Sequence, residues 1–340
     1  IPAMAQDVTL RMHQFLPDQA NVPKLILYPW ADRIEAASNG RIKVERYGSM
    51  QLGGSPPELM DQAIDGVADI VWTVIGYTPG RYPTSEVFEL PFMTQGAGPA
   101  SCAYWKMFES HMKDADFKDV HIIGTWVHGP GLIHANKEIR TPTDLDGVKI
   151  RGGSRVVNQL LEKLGATPVG MPVPAVSEAL SKGVIDATTI PWEVTASLKV
   201  PELVKNHTEF TGGALYNITF VLAMNKAKYE SLPPDLKKVI DDNSGANIVD
   251  AAIRTWDQIE IEKDGVATRM IAYLAPVMSG GRFLGGVFVD VEVDAFERII
   301  KQRDLDCEDW AIVDEQGQVI VHSSGAGPEF EQGSVGDFVV

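Results

Sequence analysis

Between Val8 and Val74 the spacing of apolar residues switches from two to about 3.6 and back, twice over. Val8–Phe15 alternates like a strand. Lys24–Ser38 carries Leu25, Leu27, Trp30, Ile34 and Ala37 near helical spacing, and Asn39-Gly40 stops it. Ile42–Tyr47 alternates again. Ser55-Pro56-Pro57-Glu58 opens a helix by a cap followed by proline, running to about Ile64. Ala68–Val74 is a continuous apolar run suited to a strand buried on both faces. Strands of this kind, alternating with helices, lie parallel and are joined by right-handed crossovers, so the order βαβαβ predicts a doubly wound α/β sheet.

The alternation continues. A helix is expected over Ala100–Met112 and strands over His121–Val127, Leu132–Ala135 and Val148–Arg151. Helices follow at Ser154–Leu164 and Pro174–Ser181, ended by Gly165 and Gly183, then strands at Ile185–Thr189 and Phe220–Met224. Pro233–Ile259 reads as one long helix. A second α/β unit thus spans about 125–212, and the chain returns to the first unit at 213–250. Two crossings between α/β lobes build a hinge with a cleft between them.

At 340 residues the chain has room for two or three domains. Its net charge of -16 argues against nucleic acid or an anionic membrane as partner, since both require a basic surface. No apolar run approaches the roughly 20 residues that span a bilayer. Cys102 and Cys307 fit neither a disulfide framework nor a zinc spacing. Ala3-Met4-Ala5 has the small residues a signal peptidase accepts, so 1–5 is expected to be the remnant of an export signal. Gly-x-Ser-x-Gly, Walker and His-Glu-x-x-His motifs are absent, and the glycine-rich pieces lack dinucleotide spacing, so no catalysis is expected.

Thr141–Ser154 (TPTDLDGVKIRGGS) poses the sharpest chemical question. A strand-like run ends in Arg151 and two glycines. Either the glycines let an anionic ligand approach the guanidinium, or Arg151 is a surface residue paired with an acid such as Asp146.

Several stretches together resemble the DctP-like solute-binding proteins of TRAP transporters (tripartite ATP-independent periplasmic transporters). They are Gly48–Gly53, Asp65–Asp69, Glu89-Leu90-Pro91-Phe92, Thr141–Arg151, Gly183–Asp186, Met224-Asn225 and Leu232–Leu236, in the family's order and covering about residues 6–260. The resemblance implies a two-lobed periplasmic binding fold of the Venus-flytrap kind. Residues 6–124 with 213–250 would form the first lobe, and 125–212 with 251–262 the second lobe and hinge. It implies an exported, periplasmic, monomeric and non-enzymatic receptor that closes on a small organic acid and delivers it to the TRAP membrane permease.

Arg151 matches the family's arginine in the segment ending Lys-Ile-Arg, which the resemblance gives as a bidentate partner of the ligand carboxylate. Such a planar fork fits a carboxylate in a way lysine does not. Some members carry a second arginine after the strand at 121–127; Trp126–His134 has none, which favours a monocarboxylate. Trp126 and His128 either line the cleft or pack the hinge. Trp192 follows Thr188–Pro191, where the family places a pocket wall. Tyr77 follows the strand carrying Trp72, and ligands sit outside the carboxyl ends of parallel strands; Trp72 belongs to the cleft or the core. His13 is a polar ligand contact or a satisfied edge histidine, and Ser154 and Asn217 are candidate hydrogen-bond donors. Members that hold a cation have an acid before a tryptophan. Here the order is Trp192-Glu193, so neither metal nor cofactor is expected.

From about 263 the character changes. Tyr273–Val277 and Gly280–Val291 read as strands about a glycine turn, Asp294–Gln302 as a helix, and Trp310–Asp314 with Gln318–His322 as a hairpin. These pieces resemble the closing half of a Cache sensor domain, an α+β segment. Two alternatives to a transport receptor follow: a signalling ectodomain reporting through this tail, or an enzyme on the same scaffold.

Overall fold

In the chain's computed structural model the residues described are 7–94, 96–210, 214–256, 260–263, 266–279, 282–292, 311–313 and 319–322. The described residues divide into two compact units at Trp256. The export-signal remnant, Cys307 and the expected helix at 294–302 lie outside the described residues.

The first unit holds two five-stranded sheets. β1 (Val8–His13), β2 (Ile42–Tyr47), β3 (Ile70–Val74), β4 (Val120–Val127) and β10 (Thr219–Asn225) form one, in the order β2-β1-β3-β10-β4. β5 (Leu132–Ala135), β6 (Lys149–Gly152), β7 (Thr167–Gly170), β8 (Ala187–Ile190) and β9 (Asn206–Thr208) form the other, in the order β7-β6-β8-β5-β9. Among the described residues ten α-helices accompany them: α1 (Tyr28–Ala37), α2 (Leu59–Ile64), α3 (Ala97–Met107), α4 (Arg155–Lys163), α5 (Val176–Ser181), α6 (Trp192–Thr195), α7 (Val200–Leu203), α8 (Lys226–Ser231), α9 (Pro234–Asp242) and α10 (Ala246–Trp256).

The periodicity at the amino end becomes parallel pairing of β1 with β2 and β3, with Val8 opposite Ile42 and Met12 opposite Ile70. Every residue of β3 and of β10 is buried, as expected of strands covered on both faces. β10 runs antiparallel between β3 and β4 because it is the returning chain. In the second sheet β6 lies parallel to β7 and β8, while β5 runs antiparallel to β8.

Two helical expectations are corrected. Pro233–Ile259 is not one helix. α9 ends at Asp242, Gly245 has φ +66°, and α10 begins after it. A left-handed glycine is a favoured way to end a helix, and here its N–H donates to the Ile123 carbonyl at 2.8 Å. Ala100–Met112 instead starts at Ala97 and finishes in a π-helical turn, Phe108–Met112.

In the second unit β11 (Glu260–Lys263), β12 (Val266–Ser279) and β13 (Arg282–Glu292) form an antiparallel sheet, Tyr273 facing Val289. β14 (Ala311–Val313) pairs antiparallel with β15 (Val319–His322).

Candidate functional site

Segments 128–131 and 214–218 pass between the two sheets and bond to each other. Gly131 N–H donates to the Tyr216 carbonyl at 2.9 Å, and His128 N–H to that of Ile218 at 3.3 Å. Beside this crossing, where the parallel strands of both sheets end, lies a cavity of about 50 Å³, a scale of a few water-sized bodies. Phe15 and Tyr77 reach it from beyond β1 and β3, Arg151 and Gly153 from β6, and Val173 and Pro191 from beyond β7 and β8. Trp72, His128, Glu193, Tyr216 and Phe220 complete its chemically distinctive wall. Phe15 stacks on Trp72 at 4.7 Å, and Trp72 on Phe220 at 4.9 Å.

Strand period sets Arg151. Ile150 goes into the core, so its neighbour turns the other way. Arg151 is 4% exposed, yet no carboxylate among the described residues lies within 4 Å. Its Nε donates to the Met171 carbonyl at 2.9 Å and its Nη1 to that of Thr189 at 3.0 Å. Two neutral acceptors orient the fork but leave its charge without a counterion, an expensive arrangement unless an anion joins it. Asp146 does not pair with it. Instead Asp146 sits beside Gly165, with Oδ1 2.3 Å from where a Cβ there would be.

Gly153 lines the cavity, and both glycines also make room for side chains of the protein. A Cβ on Gly153 would stand 3.1 Å from both Nη1 and Nη2 of Arg151, so this glycine gives the guanidinium its seat. One on Gly152 would meet Asn158 Oδ1 at 2.2 Å. They accommodate neighbouring side chains of the protein itself.

Around the guanidinium stand groups that sequence reasoning found only in part. The Tyr77 hydroxyl accepts from Val173 N–H at 2.9 Å; burial raises its pKa, partly opposed by the Arg151 charge. His128 donates from Nδ1 to the Gly129 carbonyl. Burial pushes its pKa down to about 4, with Arg151 acting in the same direction, so the ring is neutral. Tyr216 was missed. Its buried hydroxyl makes no well-formed hydrogen bond among the described residues. The nearby Thr189 hydroxyl donates instead to the Arg151 carbonyl at 3.0 Å. A glycine two residues beyond Gly129 was the available signal: a Cβ on Gly131 would fall 2.1 Å from the Tyr216 ring.

Glu193 was also missed as a lining residue, having been read only for what it is not. Its Oε1 accepts from Gly129 N–H at 3.0 Å, and burial lifts its carboxyl to about 7. Trp192, expected at the wall, is not among the cavity-lining residues. It packs edge-on against His134 at 5.0 Å and donates to Glu209 at 2.6 Å.

Of the other expected residues, Trp72, Tyr77 and His128 line the cavity with Arg151, and four do not. His13 is the satisfied histidine, donating to Gln62 Oε1 at 2.6 Å and accepting from Leu52 N–H at 3.2 Å. Trp126 is fully buried in the core. Ser154 caps α4, accepting from Val157 N–H at 3.3 Å. Asn217 braces the crossing, with Nδ2 donating to the His128 carbonyl at 2.6 Å. Among the described residues no cluster of three or more His, Cys, Asp or Glu is arranged to hold a metal, and no helix is long and apolar enough to cross a membrane.

A solved TRAP solute-binding protein from Rhodoferax ferrireducens T118, in complex with copurified benzoate, is 51% identical. The match covers 73% of this chain and 78% of that one, with a TM-score of 0.71. A marine metagenome TRAP solute-binding protein described as specific for aromatic acid ligands, with co-crystallised 3-hydroxybenzoate, is 49% identical over 74% and 79%, with TM-score 0.71. The C4-dicarboxylate-binding periplasmic protein DctP of Rhodobacter capsulatus is 26% identical over 70% of this chain and 71% of its own. The model for DctP, bacterial extracellular solute-binding protein family 7, matches residues 15–260. With that match spanning most of the chain and a two-lobed α/β architecture around a buried arginine, the protein belongs to the DctP family of extracellular solute-binding proteins, and is a TRAP-type receptor rather than an enzyme.

Proposed function

We propose that this chain is the periplasmic receptor for a small aromatic monocarboxylate, held by a bidentate salt bridge to Arg151 and handed to a TRAP membrane permease. The observation that carries the reading is a desolvated guanidinium, held in place by two backbone carbonyls, with no carboxylate of the described residues beside it. Arg151 is the one lysine or arginine among the residues lining the cavity, and His128 is neutral, which favours one carboxylate over two. The aromatic wall of Phe15, Trp72, Tyr77, Tyr216 and Phe220 suits a ring. Benzoate and 3-hydroxybenzoate in the two relatives support the same class. Export with removal of residues 1–5, and action as a monomer, belong to this reading.

Calorimetry with benzoate on the wild type, Arg151→Lys and Arg151→Ala tests it. Breaking one side of a buried ion pair costs about 3–5 kcal/mol, so Arg151→Ala is expected to lose roughly two to four decades of affinity. Lysine, which cannot reproduce the fork, is expected to recover only part. Equal affinities across the three proteins overturn the anchor.

A further inference from the structure

Glu193 places a carboxyl in a cavity that, on the reading above, receives an anion. Pro191 and the first turn of α6 carry it in beyond β8, and its own carbonyl is fixed by Asn21 Nδ2 at 2.9 Å. The carboxyl lies against Gly129. A Cβ there would stand 3.3 Å from Oε2 and 3.5 Å from Oε1, so any larger residue at 129 would press on this group. Oε1 takes the Gly129 N–H, and no lysine or arginine among the described residues pairs with the carboxyl. Val22, Val194 and Ile218 add apolar surface to the same cavity wall.

We propose that Glu193 is the specificity-determining residue of the site, recognising a hydroxyl substituent on the ring of the bound acid. This rests on the aromatic-monocarboxylate reading and extends it. A carboxylic acid offers one O–H donor and one carbonyl acceptor, and a phenolic hydroxyl offers the complementary pair. The pKa near 7 agrees, because a neutral acid does not repel the ligand's carboxylate. An unsubstituted ring packed against the Glu193 carboxyl would offer it no hydrogen bond in place of the water it displaces. Sites built around a hydrogen bond to a substrate hydroxyl discriminate strongly against the analogue that lacks it.

The test is a ratio. Isothermal calorimetry at pH 6 is run with benzoate and each of 2-, 3- and 4-hydroxybenzoate on wild type, Glu193→Gln and Glu193→Leu. At least one hydroxy isomer is expected to bind the wild type about tenfold or more tighter than benzoate. Glu193→Leu is expected to bring that ratio close to one, while Glu193→Gln, which keeps a donor and an acceptor, retains most of it. If Glu193→Leu does not fold, Glu193→Met takes its place. Benzoate binding with no hydroxyl preference, or a preference that survives in the leucine or methionine variant, overturns the role of Glu193 alone. Failure of all four acids to bind the wild type overturns the aromatic-acid reading and this inference with it.

Discussion

Glu89 sits 1% exposed near the cavity, within the Glu-Leu-Pro-Phe stretch that helped mark the family. Its Oε1 accepts from Thr219 N–H at 3.2 Å and Oγ1 at 2.8 Å, while Oε2 is buried without a hydrogen-bond partner among the described residues. Burial raises its pKa from 4.5 to about 7, partly offset by the Ser154 and Thr219 hydroxyls. A carboxyl that holds its proton more tightly when folded stabilises the fold fully below its unfolded pKa. That contribution is lost as pH rises through 4.5 towards 7, and levels off above. The loss across this window is about 3 kcal/mol. Thermal or urea melts of wild type and Glu89→Gln at pH 4.5 and pH 8 check it. The variant is expected to gain on the wild type as pH rises, and parallel pH profiles would contradict the assignment. This group shows what a sequence conceals at the residue scale. Arg151 was singled out because the strand-end run left two readings and the resemblance to the DctP family favoured the ligand-facing one. Glu89, Glu193 and Tyr216 owe their importance to what surrounds them, and their neighbours are more than a hundred residues away or across the crossing.

Elements were far more legible, since period is a local property. β1, β2, β3, β4, β5 and α4 fall where apolar spacing and caps place them. What spacing does not record is a break dictated by tertiary contact, as at Gly245, whose N–H is needed by the Ile123 carbonyl. The segments crossing between the sheets were legible as crossings but not in their packing. There Gly131 backs directly onto the Tyr216 ring, and the two segments share two backbone hydrogen bonds. Gly131→Ala would drive a methyl to within 2.1 Å of that ring. The ring is held by the fully formed core and cannot swing away at little cost, so the expected loss is about 1–3 kcal/mol, as for overpacking elsewhere. Benzoate affinity should fall with it, because Tyr216 lines the cavity. Denaturant melts and calorimetry on the same preparation check both, and a variant unchanged in either would show the crossing to be more pliant than its packing implies.

Binding by a two-lobed receptor is a closure equilibrium, so contacts spanning the lobes act on affinity even when they never touch the ligand. Three are visible. Val173 N–H reaches the Tyr77 hydroxyl, Asn21 reaches the Glu193 carbonyl, and Arg155 on α4 forks onto Glu86, with Nε 3.2 Å from Oε1. The Arg155–Glu86 pair differs in lying near the surface, the arginine side chain being 49% exposed. Its attraction is therefore screened by salt, whereas the pair between Arg151 and a ligand carboxylate would be shielded from it. Neither residue lines the cavity, so removing the pair is expected to shift the closure equilibrium towards open without altering the cavity wall. Arg155→Ala is expected to weaken benzoate binding by no more than about fivefold, seen mainly as faster release. The stronger discriminator is ionic strength. Wild-type affinity should decline between 20 and 500 mM salt, and the variant's decline should be shallower. If both proteins respond to salt alike, closure does not draw on this pair, and the sensitivity belongs to other exposed charges.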